Sequence, residues 1–338
     1  MEQPVTFVNR SGCRLFGMLY APEVAAGPRI GIVISVNAVK YRAGTFRLHV
    51  LLARKLCALG YSVFTFDPAG IGDSEGTFDF KLLSEHYFDI QTGKYDDDLA
   101  DAIDYFAGAA QLDSVLLCGL CGGAISVLMA GADPRVQGMI LLNIPVLVED
   151  LKRLGREDSA AKITSTESAS GMLKNKFRRL VEPDFWRRFV TLRVNLKEES
   201  RLVAKSVTVL ATRALARGKR LIRGEKRLAP DQPVSSHRLY NVHFQRSFKQ
   251  AMSAKQRVYF LFAELDPWTL IFKSEFQEHA LKPGNAYEGH YDLEVIGAAN
   301  HIFSATESQR HLFDHVVGWL ESHFPLRQPR RRAAVGNP

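Results

Sequence analysis

The turn Gly119-Leu120-Cys121-Gly122-Gly123 constrains the fold of this chain more than any other stretch. It follows an apolar run, residues 114–118, that reads as a buried strand, and it opens a short run of small residues, 122–132, with a helical pattern. A residue set this tightly between strand and helix sits in a sharp, strained turn. Small residues two positions before and two positions after let the backbone pass without clash, and Gly119 and Gly123 meet that demand. The helix behind Cys121 points its N-terminal amides and the positive end of its dipole at the sulfur, which favours thiolate. A cysteine held in this way reads as a nucleophile.

The flanking sequence predicts the scaffold such a turn needs. Strands are expected at 14–20, 30–36, 61–66, 114–118 and 136–142, alternating with helices at 46–59, 95–107 and 122–132. The helix at 46–59 stops at Gly60, and the one at 95–107 carries Asp96, Asp97 and Asp98 in its first turn, favourable beside the helix dipole. Two more strands, 257–263 and 291–297, and a helix at 311–323 complete the pattern. Alternation of this kind is the signature of an α/β fold with a mostly parallel sheet covered by helices on both faces. A hydrophobic content of 46% with 24% charged residues, and no run near the ~20 apolar residues of a membrane span, describes a soluble globular protein. The N-terminus lacks the basic and apolar segments of a secretory signal, and four scattered cysteines suit a reducing compartment, so a cytoplasmic address is expected.

Between residues 146 and 254 the strand rhythm stops. The chain therefore divides into a first core segment, 1–145, a helical basic insertion, 146–254, a second core segment, 255–325, and a disordered basic tail, 326–338. Residues 151–230 hold 21 Lys and Arg against 8 Asp and Glu, a charge of +13 that leaves −5 for the rest of the chain. A basic segment in a mildly acidic protein predicts a local docking surface for an anion rather than nucleic-acid binding. Arg187, Arg188, Arg217 and Arg220 are candidates for it. Residues 200–223 pattern as a helix that packs one face and solvates the other; a membrane-surface helix shares those features and is the less favoured reading.

At the motifs the sequence resembles the α/β-hydrolase superfamily, with the usual G-x-S-x-G present as G-x-C-x-G. Asp67-Pro68-Ala69-Gly70-Ile71-Gly72-Asp73-Ser74 is similar to that family's D-x-x-G-x-G-x-S loop, and the resemblance covers most of the chain outside the insertion. Lys40-Tyr41-Arg42-Ala43-Gly44, together with the turn at Cys121, is similar to cysteine-bearing hydrolases found beside bacterial exosortase and polysaccharide systems. The resemblance implies a Cys121, His301, Asp266 triad, each member just past a strand, in the family's chain order. Glu264 competes with Asp266 for the acid, which is preferred; His279, His290 and His311 do not follow a strand as His301 does. The oxyanion hole is expected at the Gly122 amide with an amide from Asn37 or Ala38, where the relatives carry glycines. The insertion lies where lids of this fold usually sit.

A thiolate nucleophile makes the acyl-enzyme a thioester, close in energy to a thioester substrate, so acyl thioesters or activated esters are the expected substrates. Coenzyme A or an acyl carrier protein would meet the basic insertion. The leading expectation is a thioesterase or acyltransferase needing no cofactor and no metal. A small-ester or lactone hydrolase resembling dienelactone hydrolases is a second, and a non-catalytic binding member of the fold a third. Polymerising acyltransferases that make polyhydroxyalkanoate have a similar cysteine turn, with a glycine where this chain has Ala124. Cys118 and Cys121 also spell C-x-x-C, but Cys118 is expected inside the strand and no second pair exists for zinc. Cys13, Cys57 and Cys118 read as small buried hydrophobes.

Overall fold

The structure, a computed structural model, describes residues 1–23, 29–36, 40–78, 83–149 and 238–326. Asn37, Ala38, Arg187, Arg188, Arg217, Arg220 and the basic tail from 327 onward lie outside the described residues.

Eight strands form one sheet: β1 (Glu2–Val8), β2 (Arg14–Tyr20), β3 (Ile30–Ser35), β4 (Ser62–Phe66), β5 (Ser114–Leu120), β6 (Val136–Leu142), β9 (Arg257–Ala263) and β10 (Tyr291–Ile296). Their order is β1-β2-β4-β3-β5-β6-β9-β10, parallel from β4 to β10 and antiparallel at β1 and β2. β1 was not legible as a strand, because Pro4 interrupts it. At the outer edge of a sheet a proline is tolerated, since an edge residue need not donate on both sides.

The inner parallel strands β3, β5, β6 and β9 are mainly apolar because both of their faces are covered, whereas the edge strand β10 carries Asp292 and Glu294. In β9, Val258, Phe260 and Phe262 enter one core and Tyr259, Leu261 and Ala263 the other. The first core is closed by α3 (Asp96–Ala109), α4 (Gly122–Ala130) and α5 (Val242–Ser253), and the second by α1 (Leu48–Ala58) and α8 (Thr306–His323). A shorter helix, α2 (Leu83–Gln91), packs beside α4, and a helical run, α6 (Pro267–Phe272) with a π turn and α7 (Glu278–Ala280), follows β9.

Met1–Glu149 and Leu239–Pro338 make up one unit of the chain and Asp150–Arg238 the other. The insertion drawn from sequence at 146–254 thus takes in residues that belong to the first unit. β7 (Leu147–Glu149) and β8 (Arg238–Tyr240) pair as a two-stranded sheet where the chain leaves and returns. α5 then packs into the core: Asn241 caps it through bonds from the His243 and Phe244 amides, and Phe244, Phe248, Ala251 and Met252 are buried. A helix between two strands of a sheet and a helix of an insertion look alike in sequence, so the loss of strand rhythm placed the boundary too late.

Phe248 meets Phe260 at 5.8 Å, Phe276 at 5.1 Å and Tyr287 at 5.3 Å between ring centroids. Phe248→Ala is expected to destabilise the protein by about 3–5 kcal/mol in urea denaturation. A cost near zero would return α5 to the insertion.

Candidate active site

β3, β5, β6, β9 and β10 end at one edge of the sheet, and the order reverses between β3 and β5, the crevice where open α/β sheets place their sites. Cys121 stands there, between β5 and α4, with φ 57° and ψ −120°. Its amide donates to the Leu142 carbonyl at 2.9 Å and its carbonyl accepts from the Ala124 amide at 3.0 Å. The two glycines are forced by close approach. A Cβ on Gly119 would lie 2.4 Å from the Gly123 carbonyl oxygen, and one on Gly123 would lie 2.8 Å from the Ser35 and Val36 oxygens. Gly122 opens α4, so its amide has no intrahelical acceptor and is free to donate outward.

The structure brings His301 and Asp266 to the same place. His301 Nδ1 lies 2.6 Å from Asp266 Oδ2, which leaves Nε2 as the ring nitrogen free to serve Cys121. Asp266 is buried and caps α6, accepting from the Trp268 amide on Oδ1 at 3.1 Å. Burial pulls the His301 pKa down, but the hydrogen bonds and negative charges of Asp266 and Cys121 outweigh it and carry the imidazole up to about 10. Glu264 is turned elsewhere: its carboxylate is exposed and accepts from the Ala298 amide at 2.7 Å. His279 and His311 are exposed, and His290 precedes β10 at the opposite end of the sheet.

The D-x-x-G-x-G-x-S loop supports this edge. Asp67, fully buried after β4, accepts from the Arg42 amide at 2.5 Å, from the Arg42 guanidinium, and from the Asp73 amide at 3.2 Å. Burial holds its carboxyl above the ordinary aspartate range against the pull of Arg42. Gly72 has φ 57° and a Cβ there would strike the Asp67 carboxylate, while Ser74 Oγ donates to the Asp67 carbonyl at 2.6 Å. Gly72 and Ser74 thus close around Asp67, the glycine against its carboxylate and the serine on its main-chain carbonyl. Arg42 anchors the downstream end of the loop that leaves β3.

Two residues at the site carried no sequence signal. Burial, with a smaller electrostatic contribution from Cys121, raises the phenol of Tyr87 on α2 above the ordinary tyrosine range. Asn143, just past β6, donates from its side chain to the His301 carbonyl. Cys118 is a buried thiol whose pKa burial pushes up to about 12, an inert environment beside a redox one. Among the described residues no cluster of His, Cys, Asp and Glu is arranged to hold a metal ion, and no helix is long and apolar enough to cross a membrane.

No protein-family model matches the sequence, and no curated protein matches it. Solved structures do resemble it in fold. An α/β hydrolase from Penicillium sp. sh18 is 18% identical, with a TM-score of 0.50 over 96% of this chain and 99% of that one. An esterase from Pyrococcus furiosus is 13% identical, with a TM-score of 0.53 over 95% and 92%. An α/β serine hydrolase homologue from Coxiella burnetii is 12% identical, with a TM-score of 0.50 over 94% and 97%. The chain has the α/β-hydrolase fold.

A histidine raised by its partners contributes stability that is fully present below its ordinary pKa and is lost as pH rises through the folded value, here about 10. The C–H resonances of His301 should titrate near that pH by NMR. In Asp266→Asn the midpoint should fall toward the ordinary histidine range; an unchanged midpoint would mean that Asp266 does not hold the imidazolium.

Proposed function

We propose that the protein transfers or hydrolyses an activated acyl group, a thioester or ester, through an S-acyl intermediate on Cys121. The observation that carries this reading is the His301–Asp266 hydrogen bond at the same sheet edge as Cys121, which is set on a strained turn at the head of α4. His301 takes the Cys121 proton, giving the thiolate nucleophile and an imidazolium. The thiolate attacks the acyl carbon, and the carbonyl oxygen gathers charge toward the Gly122 amide, joined by an amide of Asn37 or Ala38. The carbon–leaving-group bond breaks as the leaving thiol or alcohol takes the His301 proton. Water or an acceptor then attacks the thioester, giving its proton to His301 Nε2, and the Cys121 thiolate leaves. Asp266 keeps the tautomer and orientation of the ring throughout.

A thioester intermediate formed from a thioester substrate is nearly balanced in energy, which favours coenzyme A or an acyl carrier protein as donor. A cytoplasmic, reducing address suits a working thiol. The basic insertion, with Arg187, Arg188, Arg217 and Arg220, supplies the charge to dock such a donor.

Intact-protein mass spectrometry after incubation with a panel of acyl-coenzyme A thioesters and simple esters tests the chemistry. Wild type is expected to carry an acyl adduct that Cys121→Ala lacks and that His301→Ala forms far more slowly. A protein that loads no acyl group, with Cys121 alkylated by iodoacetamide no faster than a free thiol, would leave only a binding role.

Replacing the four arginines together by alanine should raise KM for a coenzyme A thioester and leave that for p-nitrophenyl acetate unchanged. Exposed ion pairs at about 0.2 kcal/mol or more each make roughly fourfold the smallest rise expected. An equal KM for the thioester would remove the docking role.

A further inference from the structure

We infer that Asn143 is a positioning residue that sets the Cys121, His301 and Asp266 groups against one another from the end of β6. This rests on the triad reading above and adds a fourth residue to it.

Asn143 is fully buried and adopts φ 46°, a left-handed conformation that asparagine tolerates better than most side-chain-bearing residues. Its backbone amide and both polar atoms of its side chain are hydrogen-bonded around the site. Its backbone amide donates to the Leu261 carbonyl at 3.0 Å, its Oδ1 accepts from the Ala263 amide at 2.7 Å, and its Nδ2 donates to the His301 carbonyl at 2.9 Å. Ala263 in turn accepts from the Asp266 amide at 3.0 Å and from Thr269 Oγ1 at 2.6 Å. The residue before Asn143, Leu142, holds the Cys121 amide. Within two residues of β6 the chain therefore touches the nucleophile's backbone, the strand end that launches the acid, and the backbone of the base.

Those three groups sit on three separate loops, and the imidazole must satisfy a carboxylate on one side and a sulfur on the other. A small displacement of the His301 backbone breaks one of the two contacts. The side-chain amide of Asn143 suits this place because it accepts from Ala263 and donates to His301 at once, from two atoms about 2 Å apart. Aspartate could accept but would set a negative charge against the His301 carbonyl; leucine could do neither. Cohesion of the strands does not account for it. At their other end, β6 and β9 have a buried amide of their own, Gln256, whose Nε2 donates to the Gly131 and Val136 carbonyls at 2.7 and 2.8 Å.

Gln256 supplies the control. Wild type, Asn143→Asp, Asn143→Gly, which keeps the backbone conformation without a side chain, and Gln256→Ala would be compared at a temperature where urea denaturation shows each to be folded. Cys121 alkylation by iodoacetamide would be followed from pH 6 to 11, with His301 titrated in parallel by NMR. Both Asn143 variants are expected to alkylate at neutral pH about tenfold to a hundredfold more slowly than wild type, the scale of a small misplacement at a reacting centre. Their His301 midpoints should drop, whereas Gln256→Ala should keep the wild-type profile and midpoint however much stability it loses. Wild-type profiles and midpoints in the Asn143 variants, or equal changes in Gln256→Ala, would overturn the inference. If wild-type Cys121 itself reacts as a free thiol, the catalytic reading fails, and the His301 midpoints still decide whether Asn143 positions the ring.

Discussion

The positive φ of Cys121 is the constraint around which the site is arranged. A non-glycine residue held in such a conformation costs about 1–3 kcal/mol and persists only where the surroundings over-determine it. Here they do. The Leu142 carbonyl takes the Cys121 amide, Gly119 lets the Gly123 peptide close over it, and Gly123 lets the end of β3 lie against the head of α4. The strain is offset by two apolar cores that fix β5 and α4 from both faces of the sheet. It lifts the sulfur out of the sheet edge, away from its own strand, toward the loops that follow β9 and β10.

Two of the buried carboxylates at that edge are met by a cation, through the same device with different cations. Asp67, after β4, gathers backbone amides and the guanidinium of Arg42, a charge that cannot leave at physiological pH. Asp266, after β9, gathers the Trp268 amide and the imidazole of His301, a charge that can. The first pair fixes a loop. The second sets a titratable ring at the edge where Cys121 stands, and the difference between the two comes down to which cation faces the carboxylate.

Much of the site was legible because its signals are local. A strand, two glycines at fixed offsets and a small-residued helix define the Cys121 turn within about a dozen residues, and strand ends point to Asp266 and His301. The choice between Asp266 and Glu264 was not local. Both stand just past β9, and only the helix cap on Asp266 and the turn of Glu264 toward Ala298 separate them. Asn143 had no signal at all: one asparagine after a strand looks like any turn residue, and its side-chain partners lie 120 and 158 positions away. α2, which packs beside α4 and carries Tyr87, and α5, read as part of the insertion, were missed for a related reason. Their packing partners decide their place, and those are distant in sequence.

The sequence by itself determined the α/β alternation, the apolar strands and the strained cysteine turn, because each depends on hydrogen bonding, periodicity and steric room between near neighbours. The tertiary structure alone decided the strand order, the reversal between β3 and β5 that opens a crevice at Cys121, the acid that meets His301, and the buried asparagine that ties their loops together. Those depend on which distant segments share a boundary, and a hydrogen bond across 158 positions leaves no periodic trace in the chain that makes it.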